Sequence, residues 1–230
     1  MDKRTIQSEM SSYIGRLLRE NFGKGPAAVF VSIEGPYVTI YLKDFLAPME
    51  RVLVNQNNTK KVEETRDHLM KELIPEIKAT WKATTGVDIE SFYYDWSLMN
   101  RSGILVAVLN TEDQVEQTST EYPQKDKVEE EVKVISKKAE KVPEIVNSFL
   151  LNDRTLIVKR EGILVPIEKE LIEFGNSEAL RITKRHLEKR LLHHSSFEDI
   201  LDVSIEDTFV DWDFHLDHSY IVFILKPKPS

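Results

Sequence analysis

The stretch Pro36-Tyr-Val-Thr-Ile-Tyr-Leu-Lys-Asp-Phe-Leu-Ala-Pro-Met-Glu-Arg-Val-Leu53 returns 118 residues later as Arg154-Thr-Leu-Ile-Val-Lys-Arg-Glu-Gly-Ile-Leu-Val-Pro-Ile-Glu-Lys-Glu-Leu171. Both versions run as an alternating strand into Leu-x-Pro-x-Glu-x-x-Leu. The same offset sets Thr59 on Ser177, Val62 on Leu180, His68-Leu69 on His186-Leu187 and Leu73 on Leu191. Two residues are then lost, and an offset of 116 carries Ile89-Glu90 onto Ile205-Glu206, Tyr93 onto Phe209, Asp95-Trp96 onto Asp211-Trp212 and Leu105-Val106 onto Ile221-Val222. Self-similarity of this kind decides the architecture before any single element is assigned.

Each copy reads as one unit. A helix over Ile6–Asn21 is closed by Gly23-Lys24-Gly25-Pro26, since glycine takes the left-handed cap and proline prevents continuation. A strand follows with Val29, Val31 and Ile33 on one face, then a turn at Glu34-Gly35-Pro36. The next strand sets Val38, Ile40 and Leu42 inward against Tyr37, Thr39 and Tyr41 outward. Pro48 suits a first helical position, with Glu50 near the positive end of the helix dipole. A long helix is expected from an N-cap at Thr59, with Val62, Leu69, Leu73 and Ile77 buried, a kink or restart at Pro75, and an end at Gly86. Strands over about 87–97 and 103–110 complete the unit. The fold class is α+β: two tandem repeats, each helix-strand-strand-helix-strand-strand, with a largely antiparallel sheet covered by helices. The two repeats are expected to form one joined sheet or a pseudo-dimer, in a monomer or homodimer.

The expected organisation is a first repeat at 1–110, an acidic linker at 111–131 and a second, degenerate repeat at 132–230, opened by a short helix over about 132–141. The 230 residues carry a net charge of -8, with 31 Lys+Arg against 39 Asp+Glu. Most of the imbalance lies in 111–131, where 8 acidic residues face 2 basic ones. Such a segment reads as a solvated spacer. No clustered cations provide a nucleic-acid footprint. There is no cysteine, hence no disulfide, thiolate metal site or cysteine nucleophile. No segment approaches the 18 apolar residues of a membrane span, and the amino terminus lacks a signal-peptide core. In the second copy Lys141-Val-Pro-Glu replaces the glycine cap and Asp202 replaces Gly86.

Gly23-Lys24-Gly25-Pro26, the valine-rich hairpin, Leu46-x-Pro-x-Glu50, Arg66 on a helix, Gly86-Val and Asp95 come in an order that resembles the YbcI-like or MpsC-type bacterial family. The resemblance covers 6–110 well and 132–226 more loosely. Ala47 and Val165 stand where the family pattern carries a helix-capping threonine. The resemblance implies a cytoplasmic protein, peripheral to the membrane, with an accessory or regulatory role in a sodium-translocating, membrane-potential-generating system. It implies a membrane transporter subunit as partner. The resemblance implies a role other than known catalysis, and no cofactor is expected. It also points to Gly23, Lys24, Gly25, Pro26, Arg66 and Asp95 as family-motif binding positions. The surface reading of Arg66 is an exposed helix residue paired with a nearby glutamate.

Two other clusters have chemical potential. In Asp211-Trp-Asp-Phe-His-Leu-Asp-His218, an extended chain puts Asp211, Asp213, His215 and Asp217 on one face. With His218 they form a candidate divalent-metal site, and hence a candidate metal-dependent enzyme. The bland alternative is an amphipathic strand running into a polar turn. On the second copy's long helix, Arg181, Arg185 and Lys189 recur at intervals of four, a candidate anion stripe. The bland alternative there is a solvated basic face, interrupted by Glu188. Tyr93 and Tyr94 are expected to be exposed. No Gly-x-Ser-x-Gly motif occurs. The sequence thus favours a non-enzymatic accessory protein over an anion sensor or a metal enzyme.

Overall fold

A computed structural model describes residues 2–110 and 121–226. They fall into two compact units, one within residues 1–116 and one within 117–230. Residues 111–120 of the expected linker lie outside the described residues.

The first unit opens with α1 (Lys3–Phe22), whose first turn is capped by Asp2 accepting from the Thr5 N–H at 2.9 Å. Gly23 ends it at φ 73, the left-handed cap that its sequence predicts. The hairpin β1 (Ala28–Glu34) and β2 (Tyr37–Lys43) turns at Gly35-Pro36. Two helices follow, α2 (Pro48–Asn55) and α3 (Thr59–Thr85). The chain then enters β3 (Ile89–Ser97) and returns along β4 (Ser102–Leu109). The antiparallel sheet has the order β1-β2-β4-β3, so β4 slots between the first hairpin and the last edge. The core lies between helices and sheet: Met10, Ile14, Leu17 and Leu18 of α1 and Met70, Leu73, Ile77 and Trp81 of α3 cover Val38, Ile40, Leu42, Leu105 and Trp96.

The second unit repeats this order: α4 (Lys125–Ala139), β5 (Ile145–Asn152), β6 (Thr155–Glu161), α5 (Pro166–Glu173), α6 (Ser177–His193), α7 (Phe197–Leu201), β7 (Ile205–Asp213) and β8 (His218–Leu225). Its sheet has the equivalent order β5-β6-β8-β7. The chain is therefore α+β and built twice on one plan.

Local expectations fail where tertiary packing outweighs them. The acidic stretch does not run as a spacer to residue 131. α4 starts at Lys125, because Val128, Val132 and Ile135 are helically spaced and bury one stripe while the charges take the other faces. Tyr122 is already part of that core. Thr59 is the first helical residue, and Asn58 precedes it as cap. α3 passes through Pro75 without ending, held on both sides by Leu73, Ile77 and Trp81. The helix breaks instead in the second unit, between α6 and α7, where two residues are missing. Leu69 is only partly buried, and Glu63, Arg66 and Asp67 join the buried stripe. Asp202 takes over the left-handed cap of Gly86, at φ 51. Tyr37, Thr39 and Tyr41 are as buried as Val38, Ile40 and Leu42, with Val106 and Ile104 beside them on that second face. Tyr93 and Tyr94 are buried too.

Gly103 in β4 shows how tightly Trp96 is seated. A Cβ at this position would come within 2.5 Å of the indole ring. Gly103→Ala should therefore destabilise the first unit by about 1–3 kcal/mol, the usual cost of overpacking, read as a lower urea midpoint by tryptophan fluorescence.

Candidate functional site

The Leu-x-Pro-x-Glu motif builds the start of α2 and, in the second unit, of α5. Its proline occupies the first helical position, and its glutamate is three residues past the cap. The Glu50 Oε2 accepts from the Ala47 N–H at 2.7 Å, and Glu168 Oε2 from the Val165 N–H at 3.0 Å. This is the backward half of a capping box. The methyl of Ala47 and the isopropyl of Val165 cannot accept the forward bond.

Each glutamate also holds a buried cation. Arg66 of α3, fully buried, donates from Nε to Glu50 Oε1 at 2.7 Å and from Nη2 to Glu50 Oε2 at 2.7 Å. Nη2 donates again to the Phe45 carbonyl at 2.9 Å. The guanidinium carbon lies 4.6 Å from the Phe45 ring centroid, 4.7 Å from that of Trp96 and 5.7 Å from that of Phe22. A bidentate carboxylate and three aromatic faces thus stand in for the water that Arg66 has lost. Its Nη1 has no hydrogen-bond partner and is shielded by this surround.

Lys184 of α6 occupies the aligned place. Its Nζ donates to Glu168 Oε1 at 2.7 Å, lies 5.6 Å from the Trp212 ring and also contacts Glu140 Oε1. Glu140 aligns with Phe22. The second unit therefore replaces an aromatic wall by a second carboxylate. Beside it, Arg160 donates to Ser219 Oγ at 2.8 Å and Ser136 Oγ at 3.1 Å and pairs with Glu188 at 2.6 Å, all four residues buried. The aligned residues of the first unit are Leu42, Gly103, Leu18 and Met70, an apolar set. Arg160, Glu188, Ser136 and Ser219 were not anticipated. The signal was present, since Arg160 continues the inward series of Leu156 and Val158 and sits on Leu42 in the repeat.

The sequence-predicted positions are distributed as follows. Gly23 is the helix cap. Gly25 lies against α1, where a Cβ would meet the Gly15 carbonyl oxygen at 3.0 Å. Pro26 is buried, and Lys24 is 3.3 Å from Asp44. Arg66 is not an exposed helix residue. It lies beneath α2, because Glu50 and three rings offer it more than a surface partner would. A side chain so placed cannot touch a partner protein directly. Asp95 is fully buried and accepts from the Trp96 N–H at 2.7 Å. In β3 it alternates with Trp96, so it projects away from the face on which Arg66 stacks. The motif positions thus share one unit without converging on one point.

The basic stripe is not a solvated face. Arg185 is 1% exposed, Arg181 pairs with Asp211, and Lys189 stands 5.6 Å from the Phe209 ring. Nor do Asp211 through His218 form one strand face. β7 ends at Asp213, and residues 214–217 make the turn. Asp213 Oδ1 accepts from the N–H groups of His215 and Leu216, at 2.9 and 3.1 Å. Asp217 Oδ1 accepts from Ile163 and Leu164, both at 2.8 Å. His218 is 3.6 Å from Glu161. Among the described residues no group of three or more His, Asp or Glu is arranged to hold a metal ion.

Two outcomes are expected from this geometry. Arg66→Ala leaves Glu50 half-desolvated and a void among three rings, and should destabilise the first unit by about 3–5 kcal/mol in denaturant unfolding. Glu140 should give the second unit a pH dependence. Burial pushes its carboxyl up to about 7, while Lys184, shared with Glu168, only partly counters this and the Glu188 and Glu168 charges add to it. The folded chain then binds a proton that the unfolded chain has released, so this contribution to stability is full below about pH 4.5 and is lost as pH rises through about 7. Glu140→Gln should flatten the stability profile over that interval, measured as melting temperature against pH.

Among the described residues no helix is long and apolar enough to cross a membrane. Neither curated proteins nor solved structures give a match to the chain. One family model does, described as Na+-translocating membrane potential-generating system (MpsC), and it matches residues 2–111 and again 125–227. The two matches coincide with the two structural units, including the helix α4 that the acidic composition concealed. On that double match the chain belongs to the MpsC family, of which it carries two tandem copies.

Proposed function

We propose that this chain is a non-enzymatic accessory component of a sodium-translocating, membrane-potential-generating system, acting from the cytoplasmic side on a membrane transporter subunit. The observation that carries this reading is the family match over both units. The geometry is in keeping with it. Arg66, Lys184 and Arg160 each meet a carboxylate of their own unit in the interior, which is the use of charge in a scaffold. In this reading Arg66 and Lys184 are positioning residues. They hold α2 and α5 at the surface, and the surface does the binding.

The test is a deletion strain assayed for sodium-dependent membrane potential with a voltage-sensitive dye, together with affinity capture of the tagged chain from gently solubilised cells. A reduced sodium response, restored by the native chain, with recovery of a transport subunit, is the expected result. An unchanged sodium response with no membrane protein recovered would overturn the proposal.

A further inference from the structure

A short surface helix normally turns its apolar residues inward. α2 and α5 do so only in part: Leu53 and Val54 of α2 and Ile172 of α5 pack partly buried on their cores, and the other apolar residues do not. α2 has no fully buried residue, and in α5 only Glu168 is buried. Beside these partly buried residues the carboxylate of the motif points inward, held by Arg66 or Lys184. The groups that point outward are Met49 (75% exposed) and Val52 (49%) in α2, and Ile167 (66%), Leu171 and Phe174 (80%) at the aligned helix. Met49, Val52, Ile167, Leu171 and Phe174 are thereby left on the solvent side, and exposed apolar clusters with charged rims mark interaction surfaces.

The rims of the two faces carry opposite charge. Around α2 stand Arg51 and, in the first turn of α3, Lys60 and Lys61, with Lys60 3.5 Å from Glu64. Around α5 stand Glu170, Glu173 and, in the first turn of α6, Glu178, while Lys169 lies 3.5 Å from Asp217. Val52, Asn55 and Lys60 of the first unit have become Glu170, Glu173 and Glu178 of the second. The differences at these aligned positions give one chain two exposed apolar faces with rims of complementary sign.

We propose that the α2 face of one copy docks on the α5 face of a second copy of this chain. The occupant is chosen by charge complementarity: the basic rim of α2 meets the acidic rim of α5 around a shared apolar centre. The contact is heterologous, so each copy offers one face of each kind and association continues past the pair into rings or open chains. Exposed rim charges make it sensitive to salt. The inference is independent of the transport reading and is tested without it.

Sedimentation equilibrium or light scattering of the full chain over a concentration series, at low and high salt, reads the association. The weight-average mass of the native chain should climb above 26.7 kDa with concentration, and less so at high salt. Arg51→Glu with Lys61→Glu makes both rims acidic, and Glu170→Lys with Glu173→Lys makes both basic. Each variant alone should stay at monomer mass, and an equimolar mixture should regain association. Phe174→Ser should lose it at either salt. Circular dichroism checks that the variants, all at exposed positions, keep their fold. A native chain that remains at monomer mass throughout would overturn the proposal, as would a mixture that does not recover while the native chain associates. A monomeric native chain that co-sediments with phosphatidylglycerol vesicles, and is released by Phe174→Ser, would assign the face to lipid instead.

Discussion

A carboxylate three residues into a helix, held by a buried cation, is the constraint on which both units depend. Glu50 and Glu168 each do two jobs: they satisfy a backbone N–H at the helix start and they neutralise the charge beneath. Desolvating either ion alone costs several kcal/mol, and the pair roughly breaks even against an apolar substitute. Its value is therefore in specificity. α2 packs only the partly buried Leu53 and Val54 on the core, and the bidentate bond from Arg66 adds to the orientation that this packing gives.

The two units meet the same demand differently. In the first, Phe22, Phe45 and Trp96 surround a guanidinium, whose planar, weakly hydrated face suits ring stacking. In the second, an ammonium has lost two of the rings and gained Glu140. A point charge with several mobile donors is better served by two carboxylates than by ring faces. The change spreads inward, since Arg160, Glu188, Ser136 and Ser219 replace a purely apolar set at the aligned positions. The second unit is not a worn copy of the first. It has the same scaffold with a polar network where the first unit has apolar residues, and loss of Arg160 or Glu188 would leave the other charge buried without its counter-ion.

Such an arrangement separates fold from surface. The ion pair secures the short helix from below, and so frees its outer residues from any packing duty. Met49 and Val52 in one unit, and Ile167 and Phe174 in the other, are apolar and exposed without contributing to either core. The rims around them have drifted to opposite charge while the anchors have not. Evolution of a duplicated unit can then alter what it binds with little penalty to how it folds.

The sequence by itself determined the repeat, the α+β class and the element order, because hydrophobic periodicity and turn residues act locally: Gly23 and Gly86 as left-handed caps, Pro48 at a first helical position, Val38-x-Ile40-x-Leu42 as an inward strand face. It also contained the clue to the polar core, in Arg160 aligned with Leu42. What only the tertiary structure decided was where charge lies. A helical arginine with a glutamate sixteen residues away reads as a surface pair, and becomes a buried one only when Phe22 of α1, Phe45 of the β2–α2 connection and Trp96 of β3 come together around it. The acidic run before Val132 reads as a spacer, and becomes a helix because Val128, Val132 and Ile135 find a core to cover. The stripe of Arg181, Arg185 and Lys189 reads as a solvated face, and is instead drawn to Asp211 and Phe209. Burial of a charge depends on partners that are distant in the chain, and no local pattern encodes their meeting.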